Sequence, residues 1–345
     1  MTLTPLPLIL AANSAVGKPW AHIATAIIGG LTAGFIFLLG ALDVAGAPVL
    51  AAGLSSSARL GLDIGTMATG FAAAALVSKP LRERLARLIP IDADNPVHAL
   101  ALVLAVILFG TQLTSIVFTD VLTSDQAQAP LSLSDLVLQE APFLILGLAG
   151  VGLFMRRSTP AVLERLGLVV PTWWQVPLAL AAAGVFFAFG NAMDALNHTV
   201  SPQVAHQVDV TTQHVFGALG GPLGIAAIAL APGICEELLF RGALQPRIGI
   251  IPTALLFTSI HTQYGFSLDL LAVFVLAIGL GLVRKYTNTT TSSLCHTTYN
   301  LLGGVGLAGA ALGVGAGVDL ILIALAAYGI WSSRRRQTVA ATVSP

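Results

Sequence analysis

The chain has 345 residues, of which 56% are hydrophobic and only 9% charged. Soluble domains carry about 25% charged residues, so a single soluble domain is excluded. Its 16 basic and 16 acidic residues leave no basic excess for holding nucleic acid. The two cysteines, Cys235 and Cys295, are too few for a disulfide framework and lack metal-knuckle spacing. The apolar runs are continuous rather than alternating, which selects spanning helices over a barrel.

The fold class read from these runs is all-α, a polytopic transmembrane bundle of about ten helices. In chain order they fall near residues 20–42, 61–78, 97–119, 140–155, 174–196, 214–244, 250–264, 268–283, 289–312 and 317–333. The first 17 residues are apolar but lack a basic start, which gives a cleaved signal peptide little support. The 214–244 run is long and interrupted by Pro222 and Pro232, and the 250–264 run is short. Irregular backbone at membrane depth is tolerated only where it is buried in protein or lines a cavity. The Gly/Ala-rich stretch from Gly303 to Gly317 reads as a tightly packed helix pair. The tail after Arg336 reads as short, polar and disordered.

Charge orients the chain. Basic residues cluster in alternate loops: Lys79, Arg82, Arg84 and Arg87; Arg156, Arg157 and Arg165; Arg241 and Arg247; Arg284 and Lys285; Arg334, Arg335 and Arg336. The other loops are acidic or neutral, with Arg59 the exception. The positive-inside rule then predicts an integral, multi-pass protein with both termini and the basic loops in the cytoplasm.

Most charges sit at helix ends, and the exceptions gather in the C-terminal half. These are Glu236 and Glu237, His261, and His296 with Asn300. An ionisable residue within a span costs a few kcal/mol or more and is a functional candidate by default. Glu237 and Arg241 are four apart and share a helix face, while Glu236 lies about 100° away and points elsewhere. His296 and Asn300 project together, as do Phe257 and His261. At about 1.5 Å per residue, Glu236, His261 and His296 all fall roughly 14–17 Å from the cytoplasmic boundary. Each group alone has a structural reading: a fixed ion pair, a hydrogen-bonded histidine, a polar tie between helices. A carboxylate and two imidazoles at one depth on three helices favour a reaction site. Cys235 and Cys295 read as small core fillers. His206, Asp209 and His214 fall in an expected external loop, where a solvated loop is favoured over a metal site. His22 and His98 sit at helix starts and read as interfacial.

These residues stand as Glu236-Glu237-x-x-x-Arg241, Phe257-x-x-x-His261 and His296-x-x-x-Asn300, with Gly242 after the arginine. In this order they resemble the CAAX prenyl protease and bacteriocin-processing (CPBP, Abi) family of intramembrane endopeptidases. The resemblance covers about residues 174–312, a CAAX-protease-like catalytic core. Residues 1–165 are N-terminal helices that it does not explain, and 313–345 hold the last helix and the basic tail. The resemblance implies a peptidase acting on a membrane-embedded peptide or lipidated protein, with its site opening toward the cytoplasm. It assigns Glu236 to activation of the attacking water, His261 to holding that water, and His296 and Asn300 to the oxyanion, with Glu237, Arg241 and Phe257 in support. The chemistry permits the same roles.

No cofactor is favoured, because no His-Glu-x-x-His is present. Zinc held by Glu236, His261 and His296 stays open, which would make the enzyme a metalloprotease rather than a glutamate-type one. The competing readings are an ion- or proton-coupled transporter and a non-catalytic immunity or scaffold protein. Oligomeric state is not encoded legibly.

The orientation has a direct test. Single cysteines placed at Ser55 and at Gln337 should label from opposite sides of the membrane. Labelling of both from one side would overturn the helix count or the orientation.

Overall fold

The computed structural model describes residues 2–47, 50 and 54–343, with side chains described as far as Arg335. Arg336 and Gln337, named above, lie beyond those described side chains. The first half comprises α1 (Leu6–Ala15), α2 (Ala21–Val44), α3 (Ser56–Ala75), α4 (Lys79–Leu85), α5 (Pro96–Phe118), α6 (Val121–Gln126), α7 (Leu133–Gly150) and α8 (Thr159–Leu166). The second comprises α9 (Gln175–Val200), α10 (Pro202–Phe216), α11 (Pro222–Glu237), α12 (Gln245–Ile248), α13 (Ile250–Ser259), α14 (Leu268–Tyr286), α15 (Thr289–Val305) and α16 (Ala310–Val343). A π-helical segment, Leu238–Leu244, joins α11 to α12. Among the described residues no strand occurs, so the expected all-α bundle is what forms.

Every one of the ten expected runs holds a helix. Among the described residues, six helices are long and apolar enough to cross a membrane, and α3 with α4, bent by 87°, makes a seventh if counted as one span. The ten-residue α13 is too short to cross.

Four local expectations are corrected. First, α7 begins at Leu133 rather than near residue 140. Ser132 and Asp135 close a capping box there, each side chain taking the other's backbone N–H. That moves Glu140 from a helix end to a helix interior. Second, the expected external loop holding His206, Asp209 and His214 is α10, started by Pro202 in its first turn. Third, Gly303–Gly317 is not a packed pair: α15 stops at Gly306, in the left-handed region at φ +67°. The following α16 packs against α9 instead, and a methyl group added at Gly313 or Gly317 would meet nothing. Fourth, α16 continues past the basic cluster to Val343, so the tail through that residue is helical rather than irregular. Its alanines favour continuation of a helix already nucleated.

The bundle has two packed groups. In one, α2, α3 and α5 lie together. In the other, α11 sits between α7 and α15, and α9 covers α15 beside α14 and α16. Phe143, Phe240 and Phe257 join the groups in one buried core. The outlying basic residue in an acidic loop, Arg59, is accounted for by a 3.0 Å ion pair to the buried Asp43.

Glycine sets the closest of these contacts. A Cβ at Gly233 would lie 2.2 Å from Thr297 Oγ1 and 2.9 Å from its backbone nitrogen. The bare backbone of α11 therefore lets α15 approach within van der Waals distance, as small residues do in membrane bundles. Gly233→Ala should cost about 1–3 kcal/mol by overpacking. The loss would be read as a lower melting temperature in detergent, and an unchanged value would show that the two helices can separate freely.

Candidate active site

Prolines shape the backbone that carries the site. Pro232 sits inside α11 and has no N–H for the Ile228 carbonyl. That carbonyl instead accepts from the Asn300 side-chain amide of α15 at 3.4 Å. Four residues past Pro232 comes Glu236, and the helix then widens into the π segment. Such bulges are rare and concentrate at functional sites. Pro246 follows in α12, with no N–H for the carbonyl of Gly242. Arg165 of α8 donates to Gly242 O at 3.1 Å and to Ala243 O at 3.4 Å.

The two glutamates part company as their helical offset requires. Glu237 is fully buried and faces α15. Its Oε1 pairs with Arg241 Nε at 3.5 Å and with His296 Nδ1 at 3.2 Å, and its Oε2 accepts from Ser292 Oγ at 2.6 Å. Arg241, also fully buried, donates to Ala277 O at 3.4 Å and lies 4.5 Å above the Phe257 ring. Glu236 faces the other way, into a cavity of about 1560 Å³, and its buried Oε2 has no hydrogen-bond partner.

The histidines reach the same cavity. His261 follows α13, where Nδ1 donates to Phe257 O at 2.8 Å. A carbonyl only accepts, so the ring hydrogen is on Nδ1 and the neutral ring offers Nε2 as an acceptor. His296 Nδ1 likewise meets a carboxylate, which directs Nε2 away from Glu237. The Phe257 ring organises both: its centroid lies 4.6 Å from that of His261 and 5.7 Å from that of His296. Glu236, His261, His296 and Asn300 all line the one cavity, and Glu237 and Arg241 do not.

Three residues that sequence reasoning did not single out also line it. Tyr264 stacks on His261 with centroids 6.4 Å apart, and Tyr299 adjoins Asn300 on α15. Glu140 of α7 is buried, and its Oε2 has no hydrogen-bond partner. The Ser132-x-x-Asp135 capping box was the sequence signal that would have placed Glu140 mid-helix. Helices α1, α5 and α7 contribute Ile9, Leu104 and Phe143 to the wall, so the N-terminal half encloses the site. The lining runs from Arg156, Arg157, Arg165 and Arg247 at one end to Asp125, Asp194 and Gln213 at the other.

Among the described residues, the group whose ligand atoms lie within 4.8 Å of one another is Asp194, His198 and Asp209, on α9 and α10. Glu236, His261 and His296 are not such a group, so as their side chains stand they do not fit one shared ion. His206 and His214 do not join the α9–α10 group; His214 Nε2 bonds Gln128 O at 2.7 Å.

One family model matches part of the chain. The model of a family described as type II CAAX prenyl endopeptidase, Rce1-like, covers residues 218–302. This stretch runs from the start of α11 nearly to the end of α15 and contains all three motifs. No curated protein and no solved structure matches the chain. Residues 218–302 are thus similar to the type II CAAX prenyl endopeptidases of the Rce1-like family, in a chain that has, among the described residues, six helices long and apolar enough to cross a membrane.

Proposed function

We propose that the chain hydrolyses a peptide bond of a membrane-embedded or lipid-anchored protein with water activated by Glu236. The observation that carries this reading is the division of labour between adjacent glutamates. Glu237 is saturated by Arg241, His296 and Ser292, whereas Glu236 meets the cavity with an oxygen to spare. A carboxylate with a free oxygen facing a cavity is placed to take a proton from water. His261 accepts that water's second hydrogen at Nε2 and orients its lone pair. As oxygen adds to the scissile carbonyl, the Asn300 amide and His296 Nε2, carrying a proton, donate to the developing oxyanion. Glu237 balances the charge of Arg241 and accepts from His296 Nδ1. Glu236 then returns its proton to the leaving amine, and the C–N bond breaks.

The arrangement also suggests a role for residues 1–165. Their helices close one wall around Glu236, which keeps lipid off the site while water and an extended peptide occupy it. The basic end of the cavity is taken as the cytoplasmic mouth, in line with the positive-inside rule.

Purified variants should separate the two glutamates. Glu236→Gln should abolish cleavage of a reporter peptide at unchanged melting temperature, since the amide is nearly isosteric and takes no proton. Asn300→Ala should slow cleavage by about 10²- to 10³-fold, the usual loss for one oxyanion donor. Near-normal cleavage by Glu236→Gln would overturn the assignment.

Glu237→Gln should behave differently. Loss of the carboxylate leaves a buried arginine unpaired, a cost of about 3–5 kcal/mol. Expression and melting temperature should therefore fall first; loss of activity alone would exchange the roles of the two residues. Wild-type activity should survive dialysis against a strong chelator, and loss restored by zinc would favour the metallo-type route.

A further inference from the structure

The end of the cavity opposite the arginines carries a cluster that the proposed chemistry does not use. Asp194 and His198 of α9 and Asp209 of α10 each bring one ligand atom to within 4.8 Å of the other two. His198 Nε2 lies 3.2 Å from Asp209 Oδ2 and 3.7 Å from Asp194 Oδ1. Two donors about 2.0–2.1 Å from one zinc ion at tetrahedral angles stand about 3.4 Å apart. The three side chains are half-exposed, so water reaches them, and Asp194 lines the cavity itself.

The protein's own donors do not satisfy this cluster. A ring nitrogen carries at most one hydrogen, yet His198 Nε2 faces two carboxylates, so a proton there serves one of them. The lysine and arginine ion pairs of the described residues go elsewhere, to Asp43, Glu83, Asp94 and Glu237.

A second observation comes from Asn197. Asp194, Asn197 and His198 stand at i, i+3 and i+4 and so share one patch of α9. Asn197 is fully buried. Its Nδ2 donates to Asp269 Oδ2 of α14 at 2.5 Å, while its Oδ1 is enclosed without a partner. Buried acceptors are normally satisfied, and a water held by an ion at the cluster supplies the missing donor. Asp269 itself needs no ion. It stands in the first turn of α14, where the helix dipole favours an acid, and it accepts from Asn197.

We infer that Asp194, His198 and Asp209 bind a divalent transition-metal ion of the zinc class, with water completing its shell. Zinc takes imidazole nitrogen and carboxylate oxygen from three protein ligands and keeps a water in the fourth position. The imidazole selects against calcium and magnesium, which take oxygen. Asp194 and Asp209 cancel the two charges of the ion, and His198 binds as the neutral ring. The site is separate from Glu236 and takes no part in the reaction proposed above. Its effect is mechanical. Helix α10 packs on α9, on α6 and on the turn Thr262–Tyr264, and Val208 buries against Val121 and Leu122. An ion bridging Asp209 to α9 pins α10 over that end of the cavity. Tyr264, which packs on the same apolar group and stacks on His261, is held with it.

The test uses the full-length protein in detergent, stripped with a chelator and titrated with zinc chloride alone by isothermal calorimetry. The same samples are melted with and without the metal. One zinc should bind per chain, and the melting temperature should shift upward with zinc. Asp209→Asn, near-isosteric at a half-exposed position, should weaken zinc binding by at least about tenfold, since even an outer partner of a metal ligand is worth that much. It should also lose the upward shift. His198→Gln should behave alike, and Asp209→Glu, which keeps the carboxylate, should recover part of the affinity. Glu236→Gln should bind zinc as the wild type does.

The melting scan without zinc shows whether each variant is folded, so a lost site is not confused with a lost fold. Zinc affinity unchanged in both Asp209→Asn and His198→Gln would overturn the site. Calcium or magnesium binding as tightly as zinc would also overturn it, leaving an acidic surface patch only. Zinc binding lost in Glu236→Gln but kept in Asp209→Asn would move the ion to the reaction site and sink the inference.

Discussion

The site depends on a single buried carboxylate. Glu237 is fully enclosed, and it survives there because Arg241, His296 and Ser292 all turn toward it. Ions inside a low-dielectric bundle must be paired and hydrogen-bonded or they are not kept. Satisfying that one group draws α11, the π segment and α15 together and fixes which ring nitrogen of His296 faces the cavity. Arg241 then carries the constraint onward. It lies over Phe257, and Phe257 packs on His261 as well as His296. The residue that holds the machinery is thus distinct from the residue proposed to perform the chemistry, and the two are neighbours in sequence.

A second constraint comes from proline. In a membrane every backbone group must find a partner inside the protein. Pro232 and Pro246 each leave a carbonyl without its α-helical donor, at Ile228 and Gly242. Side chains from other helices fill both, Asn300 the first and Arg165 the second. The backbone irregularity around Glu236 is therefore tied at one end to a residue of the proposed oxyanion site and at the other to the basic mouth of the cavity. A broken helix here is a means of docking distant helices at set positions.

Fold class and the motif residues were legible in the sequence because both depend on local rules. Long apolar runs make helices whatever surrounds them, and each of the ten runs did so. The offset of Glu236 from Glu237 follows from 3.6 residues per turn, so their opposite facing needed no tertiary knowledge. Polar residues at membrane depth are conspicuous because their cost is local too. The capping box at Ser132 was equally local, and reading it would have moved Glu140 into the interior of α7.

What only the tertiary structure decided is where the elements meet. Nothing in the 140 region announces that Glu140 lines the same cavity as Glu236, since the two lie almost a hundred positions apart and are brought to it by α7 packing on α11. The π segment was hidden because its pattern of residues is that of an ordinary helix. The basic loops were visible as charge, but charge alone assigns a side of the membrane. That four of their arginines turn inward along the cavity of Glu236 depends on how α8 and α12 dock, a long-range arrangement that no spacing in the sequence encodes.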